Sequence, residues 1–504
     1  MALKTVSAYL ESLRARRPLE IWFRGARIAD PTQHPVLESS LQTVCKVYEL
    51  AQDPAWRDLL TAESPLIGER VNFYLSPLLS REQAVQKTRL ARALGEALGA
   101  CAHRCTGSEA IAGLFPLTYD LEVERDTPTH QRFCTWLSYA QREDLACTAA
   151  LTDPKGDRRL KPHEQPEPDA FLHIAARRED GIVLRGAKVN QTGALFAHEM
   201  LVLVTGAVGA EDADCAVACA VPADAPGLTY VLGRQPHDGR CGDEDERLDA
   251  GRRFGDHQAV VLFEDVFVPW ERVFLAGEWE YTGRLVEYFT AVHRLTAGGC
   301  KAGGMTLLTG AAGLAAEYIG VERAGHVREK LAEMEIGAET LYALSLAAGY
   351  EGHAHPSGAW VPHALLAHSC KYQATRLPFE GMRYAREIAS GWGETAPAAA
   401  DLRHPEIGPR IERLFRPAVE GASAEDRLRL LRLIESLARG SNWSAFALHG
   451  GGNPEASRLM ALRQIDFQHL ARMAEAACGI ETDDAPILRE IARRLGRVDQ
   501  TPQG

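Results

Sequence analysis

The chain has 504 residues, 46% of them hydrophobic and 25% charged, which is enough for two or three globular domains with sizeable cores. Its net charge of −12 argues against nucleic acid or an anionic membrane as the main partner. No apolar run approaches the roughly 20 residues of a membrane span, and the N-terminus is typical of an amphipathic helix rather than a signal peptide. We therefore expect a cytoplasmic protein whose 11 cysteines are core residues, ligands or catalytic groups rather than disulfides.

The hydrophobic pattern predicts three successive regions, mostly helical over residues 1–145, β-rich over 146–275 and helical again over 276–504. Helical periodicity occurs at 41–50, 84–102, 307–318, 327–348, 365–388 and 427–437, with a kink expected at Pro378. Short apolar runs between turn residues predict strands at 171–175, 182–185, 201–204, 215–221 and 259–263. This order predicts an α+β chain built in layers.

Cysteine and histidine residues recur at helical spacing in two distant segments. Cys101 and Cys105 are four residues apart, which on a helix places both side chains on one face about 5–6 Å apart. His293 and Cys300 are seven apart, about 10.5 Å of helical rise, and Gly298-Gly299 would let the helix unwind before the cysteine. Three thiolates and one imidazole suit an iron–sulfur cluster with one non-cysteine ligand. On spacing alone, a core histidine with buried thiols remains the alternative.

A histidine ligand would raise the potential of such a cluster, and it would leave an iron able to act on a substrate oxygen as a Lewis acid. Lys301 directly follows Cys300. It is either a proton donor beside the site or an ordinary surface lysine.

Polar loops with glycine are candidates for binding a second ligand. Thr152–Arg158 follows an apolar run, Gly186–Gly193 follows a strand, and His449–Glu455 contains three consecutive glycines. On these features alone, each loop either binds a polar group or is a plain turn. No GxGxxG segment follows a strand near the N-terminus and no P-loop is present, so the sequence does not support a Rossmann site or a P-loop site.

The polar loops also carry a resemblance to a known family. Thr152–Arg158, followed by Pro162, Gln165 and Pro168-Asp169, resembles the signature of the flavin-dependent 4-hydroxyphenylacetate 3-hydroxylase family. Further segments that agree with this family are Phe23-Arg-Gly, His34-Pro35, Gly186-Ala-Lys188, Thr192-Gly193, Phe263–Pro269 and His449–Pro454. The motifs are in the right order and at the right spacing over nearly the whole chain, so the chain is identified as a member of the family.

Within this family, the chain resembles the branch of 4-hydroxybutyryl-CoA dehydratase, which carries a 4Fe-4S cluster on Cys-x3-Cys and His-x6-Cys. The resemblance maps the cluster ligands onto Cys101, Cys105, His293 and Cys300. It implies an FAD- and cluster-dependent dehydratase or isomerase that removes water from a hydroxyacyl-type small molecule by a radical mechanism.

The resemblance also implies an acyl-CoA-dehydrogenase-like fold with a helical N-terminal domain over 1–145, a central β-barrel over 146–275 and a C-terminal helical bundle over 276–504. FAD would lie between the barrel and the bundle, and the chain would form a homotetramer. The implied flavin-binding residues are Leu151, Thr152, Asp153, Pro154, Lys155, Gly156, Asp157, Arg158, Asn190, Gln191, Thr192, Gly450 and Gly451.

The chain departs from the dehydratase pattern at positions that concern proton transfer. His103 replaces a glutamine between the first two cysteines, Ala297 replaces a tyrosine, and Gln258 replaces a glutamate. The segment 444–448 offers no carboxylate where the dehydratase has one. We therefore expect a different substrate or reaction.

His293, Lys301 and His103 remain the candidate catalytic groups, and with Ala297 in place of the tyrosine His103 is the preferred base. One alternative is a flavin monooxygenase that hydroxylates a phenol or a carrier-bound acyl group, using reduced flavin and oxygen but no iron. The other is a flavin-binding assembly subunit without catalysis, against which retention of the four ligands argues.

Overall fold

The computed structural model describes residues 3–234, 253–440, 447–480 and 485–495. The first region holds the helices α1 (Val6–Arg14), α2 (Glu38–Gln52), α3 (Arg57–Leu60), α4 (Arg81–Leu98), α5 (Cys105–Arg125) and α6 (Thr129–Arg142). It also contains the short strands β1 (Glu20–Phe23), β2 (Ala26–Ile28), β3 (Thr61–Ser64) and β4 (Glu69–Asn72). β1 pairs in parallel with a strand of the central region, so residues 1–145 are not purely helical and contribute to the central sheet.

The central region is β-structure, as the alternation of apolar runs and turns predicts. Its strands are β5 (Cys147–Ala150), β6 (His173–Arg177), β7 (Gly181–Thr192), β8 (Glu199–Val202), β9 (Val217–Pro222), β10 (Leu228–Leu232), β11 (Gln258–Pro269) and β12 (Val273–Ala276). Together with β1 and β2 they form a six-stranded sheet in the order β2-β1-β10-β11-β7-β6 and a four-stranded sheet in the order β12-β9-β8-β5.

The expected closed barrel is not present among the described residues. The two sheets stay open and enclose one apolar core, to which β7 contributes Leu184, β11 contributes Val261 and β9 contributes Val221. A helix covers one edge of the smaller sheet instead. A Cβ on Gly107 of α5 would lie 2.3 Å from the carbonyl oxygen of Cys147, the first residue of β5. Because α5 occupies this place, β5 has no neighbouring strand on that side.

The third region is helical. It holds the helices α7 (Thr282–Tyr318), α8 (Gly325–Tyr350), α9 (Ala364–Ala374), α10 (Leu377–Ile388), α11 (Trp392–Thr395), α12 (Ala399–Arg403), α13 (Gly408–Phe415), α14 (Ala424–Glu435), α15 (Pro454–Gln464), α16 (Phe467–Ala477) and α17 (Ala485–Leu495), and the strand pair β13 (His353–Ala354) and β14 (Trp360–Val361). The kink expected at Pro378 is a complete break. Pro378 lies in the first turn of α10, where its missing N–H costs nothing.

The helical, β and helical order of the chain is therefore confirmed, while the domain boundaries after residues 145 and 275 stay a prediction. Within the described ranges, no helix combines the length and apolar character that crossing a membrane requires.

Candidate active site

Cys101 and Cys105 lie where the chain passes from α4 into α5. α4 ends at Leu98 and is capped by Gly99, which takes a left-handed φ of +60°, and Cys105 begins α5. Arg104 anchors the turn between them, because its buried guanidinium donates to the carbonyl oxygen of Leu145 at 2.9 Å. The two Sγ atoms are 3.8 Å apart, well beyond the roughly 2.05 Å of a disulfide bond, so both thiols are free to act as ligands.

His293 approaches these cysteines from α7. Its Nδ1 hydrogen-bonds to Oε2 of Glu109, which lies one turn after Cys105 on α5. Phe289 stacks on the imidazole, with the ring centroids 5.4 Å apart and the planes 15° apart. Since a carboxylate oxygen is an acceptor, Nδ1 carries the proton and Nε2 is the nitrogen left to bind a metal or a proton.

Cys300 lies two turns after His293 on the same unbroken helix. The prediction that Gly298-Gly299 unwinds this helix is wrong, because α7 continues to Tyr318. Its glycines permit close packing against α4 instead. A Cβ on Gly299 would lie 2.6 Å from the carbonyl oxygen of Thr88, and α4 carries its own glycine, Gly95, against the carbonyl oxygen of Cys300. This close approach brings Cys300 to the end of α4, where the other two cysteines lie.

Tyr74 shows that the three thiols share one neighbourhood. Its pKa is raised well above the usual value, first by burial and then by Cys105, Arg104, Cys101 and Cys300, of which only the arginine acts in the opposite direction. The pKa of Cys105 is raised by its contact with Cys101 and by burial, and burial raises the pKa of Cys300. A metal that binds Cys105 and Cys300 must displace the protons of these two thiols.

The donor set fits a cluster better than a single ion. In the described part of the chain, no three His, Cys, Asp or Glu side chains converge as ligands of one metal ion. A 4Fe-4S cluster makes a different demand, because each ligand binds a different iron and the ligands stay apart. Three thiols near Tyr74 and an imidazole with its Nε2 free supply four ligands of the types that such a cluster binds.

His103 extends from the cysteine turn towards the end of β7. Its backbone is left-handed at φ +64°, its side chain is buried, and neither ring nitrogen has a hydrogen-bond partner. A Cβ on Gly193 would lie 2.8 Å from the Cβ of His103. Nearby, Gln258 donates from Nε2 to Oγ1 of Thr192 at 2.7 Å while its buried Oε1 has no partner. Buried polar atoms without partners are rare and point to a polar group that binds here.

His103 lies in an apolar environment. Burial lowers its pKa to about 3, so the imidazole is neutral at neutral pH. The neighbouring His257 packs edge-on against it, with centroids 5.3 Å apart, and is itself held by Ser40 and by the backbone N–H of Leu195.

The start of the Leu151–Arg158 loop is fixed by a buried ion pair. Nζ of Lys188 lies 2.8 Å from Oδ1 of Asp153, and both side chains are buried. The same ammonium donates to the carbonyl oxygens of Leu151 and Leu203, at 2.8 and 3.0 Å. Asp153 and Leu151, both predicted as flavin contacts, thus hold the loop in place.

The tip of this loop is shaped by backbone conformation and by one buried amide. Lys155 and Gly156 take left-handed φ values of +71° and +46°. Gln165 accepts from the backbone N–H of Asp157 at 2.9 Å and donates to its carbonyl oxygen at 2.8 Å. The exposed loop residues are Pro154, Gly156 and Arg158, and Asn190 at the end of β7 is also exposed.

Comparison with known proteins identifies the family. The model of the 4-hydroxyphenylacetate 3-hydroxylase N-terminal region matches residues 5–275, and the model of the C-terminal region matches residues 282–479. The chain belongs to the 4-hydroxyphenylacetate 3-hydroxylase family.

The similar proteins are enzymes of two kinds. The 4-hydroxybutyryl-CoA dehydratase/vinylacetyl-CoA-Δ-isomerase of Clostridium aminobutyricum is 38% identical over 95% of this chain and 100% of its own length. The oxygenase component of 4-hydroxyphenylacetate 3-monooxygenase from Thermus thermophilus is 29% identical over 85% of this chain and 87% of its own.

Solved structures divide in the same way. An oxygen-tolerant archaeal 4-hydroxybutyryl-CoA dehydratase from N. maritimus superposes with a TM-score of 0.92 at 35% identity, covering 96% of both chains. The monooxygenase oxygenase component in complex with FAD and 4-hydroxyphenylacetate superposes with a TM-score of 0.82 at 25% identity, covering 94% of this chain and 98% of the other. The resemblance to both branches of the hydroxylase family is thus confirmed.

In this hydroxylase-family chain, the His449–Glu455 segment reaches the imidazole of His293. Gly451 takes a φ of +75°, and its carbonyl oxygen accepts from Nε of the buried Arg294 at 3.2 Å. Gly451, predicted as a flavin contact, lies at the histidine, where a Cβ would be 2.6 Å from Cδ2 of His293. Of the segment 444–448, which offers no carboxylate, residues 444–446 lie outside the described part of the chain.

Lys301 is buried, which excludes an ordinary surface lysine. Its charge lowers the pKa of Cys300, against the larger effect of burial. Sequence reasoning missed Glu109 and Lys87. The spacing of Glu109, four residues after Cys105, could have revealed the carboxylate, since such residues share a helix face. Nothing in the sequence singles out Lys87.

Proposed function

We propose that this chain is an FAD- and 4Fe-4S-dependent dehydratase or isomerase that eliminates water from a hydroxyacyl-type substrate by a radical mechanism. The observation that carries the proposal is that Cys101 and Cys105 have their Sγ atoms 3.8 Å apart, while His293 of α7 hydrogen-bonds to Glu109, one turn after Cys105 on α5. The 38% identity to a 4-hydroxybutyryl-CoA dehydratase over nearly the whole chain supports it.

The residues Cys101, Cys105, His293 and Cys300 would hold the cluster. The Leu151–Arg158 loop, the Asn190–Thr192 end of β7 and Gly450-Gly451 would border the flavin. The unpartnered buried atoms of His103 and Gln258 support a polar ligand near the end of β7. When bound, the flavin supplies one-electron transfer and the cluster supplies a Lewis acid.

The chain itself supplies proton transfer and position. Elimination moves a C–H proton to a base and releases the hydroxyl as water after it takes up one proton, so the reaction has no net redox change. Buried Lys301 is the proposed proton donor to the leaving hydroxyl. A ring nitrogen of His103, and His293 Nε2 whenever it is not bound to the cluster, are the proposed acceptors. The low pKa of His103 keeps its ring in the neutral form that a base requires, although it makes the base a weak one.

The departures at Ala297 and Gln258 support an altered substrate or reaction, because neither side chain can titrate. We also propose three domains with boundaries near residues 145 and 275, a homotetramer and a cytoplasmic location. Mass photometry of the holoprotein tests the tetramer.

The test of the main proposal is the iron, sulfide and flavin content of protein purified without oxygen. We expect about four irons and four sulfides per chain beside FAD. Cys101→Ala and Cys300→Ala should lose the iron. Cys219→Ala is the matched control, since Cys219 is a buried thiol in strand β9 between the sheets.

The second candidate is a flavin monooxygenase. It is favoured by the structural match to an oxygenase component bound to FAD and 4-hydroxyphenylacetate. Flavin without iron, together with oxygen-dependent hydroxylation of a phenol by the reduced protein, would establish this function and overturn the dehydratase.

A further inference from the structure

We propose that Glu109 is a positioning residue that fixes His293 with its Nδ1–H on the carboxylate and its Nε2 towards the three thiols. The proposal deepens the proposed function and rests on it. Glu109 is fully buried, and its Oε2 is the partner of His293 Nδ1. The hydrogen bond joins α5 to α7 and sets which ring nitrogen is available.

The imidazole is held on three sides. Glu109 binds Nδ1, Phe289 stacks on one face, and Gly451 lies against the opposite edge, where a Cβ would be 3.0 Å from Nε2. A 180° flip of the imidazole would break the hydrogen bond between Nδ1 and Glu109. It would also place Nδ1 beside the backbone of Gly451, where Cδ2 now lies. The direction of Nε2 is therefore decided by the protein before any ligand binds.

The position of Glu109 on α5 couples it to the cysteine ligands. Cys101, Cys105 and Glu109 follow one another at intervals of four residues, and Cys105 and Glu109 share one face of α5. The carboxylate thus ties the position of the histidine on α7 to that of the first thiols.

A buried lysine balances the carboxylate. Lys87 on α4 is buried, its Nζ donates to Oγ of Ser108 at 2.9 Å, and its charge acts on both Glu109 and Cys105. Because a buried carboxylate without an opposite charge is costly, Lys87 explains how Glu109 is retained in this place.

A carboxylate behind a histidine ligand fixes its tautomer and raises its basicity, and removing such a partner typically costs roughly 10–100-fold in metal affinity. The test is Glu109→Gln, purified as the holoprotein without oxygen and challenged with an iron chelator. We expect iron to be lost roughly 10–100-fold faster than from the wild type. The nitrogen hyperfine coupling of the reduced cluster, measured by pulsed EPR, should also change.

Glu199→Gln is the matched control. Glu199 is likewise buried and paired with a cation, Arg272 at 2.7 Å, but it lies on strand β8 of the four-stranded sheet. Its substitution should leave the rate of iron loss and the hyperfine coupling unchanged. If Glu109→Gln does not fold, Glu109→Asp keeps the charge on a shorter side chain. This variant should show the same faster iron loss and altered hyperfine coupling, to a smaller extent.

The outcomes separate the two proposals. A wild-type holoprotein with its cluster, whose Glu109 variants match it in both iron loss and hyperfine coupling, overturns the role of Glu109 and leaves the dehydratase intact. A wild type that holds flavin but no iron overturns both.

Discussion

Gly451 lies directly against the imidazole of His293. A Cβ at this glycine would come within 2.6 Å of Cδ2 and 3.0 Å of Nε2, and the backbone takes a left-handed φ of +75°. A loop from the C-terminal part of the chain thereby packs beside the Cδ2–Nε2 edge of the ring.

Replacing Gly451 by alanine should therefore displace His293. We expect Gly451→Ala to keep its fold, at a cost of about 1–2 kcal/mol for the left-handed backbone, but to lose iron and activity. The control is Gly421→Ala, whose φ is +84° and whose Cβ would meet nothing within 4 Å. Equal iron contents in the two variants would contradict the contact.

His103 should matter for catalysis but not for folding. His103→Ala is expected to abolish turnover while FAD and iron contents remain at wild-type levels, because neither ring nitrogen makes a hydrogen bond that folding would lose. His257→Ala provides the contrast, since it removes the bond to Ser40 and should lower the melting temperature. Full activity of His103→Ala would remove this residue from the mechanism.

The Lys188–Asp153 pair should carry much of the stability of the predicted flavin loop. Lys188→Met leaves the buried Asp153 without its cationic partner and should lower the free energy of unfolding by about 3–5 kcal/mol, with loss of FAD. Urea denaturation followed by circular dichroism and flavin absorbance measures both. Arg185 lies on the same strand β7 as Lys188 and forms an exposed ion pair with Asp265. Arg185→Met should therefore change the free energy of unfolding little. If Lys188→Met changed the free energy of unfolding equally little, the Lys188–Asp153 pair would be dispensable for stability.

Lys371 predicts a pH dependence of stability. Burial, followed by the charges of Lys301 and Arg294, lowers its pKa from 10.5 to about 7, although its Nζ donates to the carbonyl oxygen of Ala447. Between these values the unfolded chain binds more protons than the folded one, so this residue makes stability rise as the pH increases from about 7 to about 10. Thermal unfolding across this window should show a weaker rise for Lys371→Met than for the wild type. The exposed Lys161→Met should follow the wild type, and a Lys371 variant that also does so would refute the prediction.

The periodicity of the chain predicted most of the fold. The runs at 182–185 and 259–263 lie within the long strands β7 and β11, and the run at 327–348 lies within α8, because local alternation and helical spacing are properties of neighbouring residues. The barrel was wrong for a non-local reason. To close the sheets into a barrel, β5 would have to pair with another strand at its free edge, and α5 occupies that edge.

The glycines show the limit of sequence reasoning most clearly. Gly298-Gly299 were expected to unwind α7, whereas the helix is continuous and uses them to approach α4. A glycine permits either outcome, and only the position of the other helix decides between them.

By itself, the sequence determined the family and the candidate ligands, since ordered motifs and the spacing of cysteine and histidine can be read along one dimension. Tertiary structure alone decided that His293 meets Glu109, that Lys188 pairs with Asp153, and that the histidine ring is closed by Gly451. Each of these contacts joins segments far apart in the chain, so their geometry depends on how the helices and the sheets pack together.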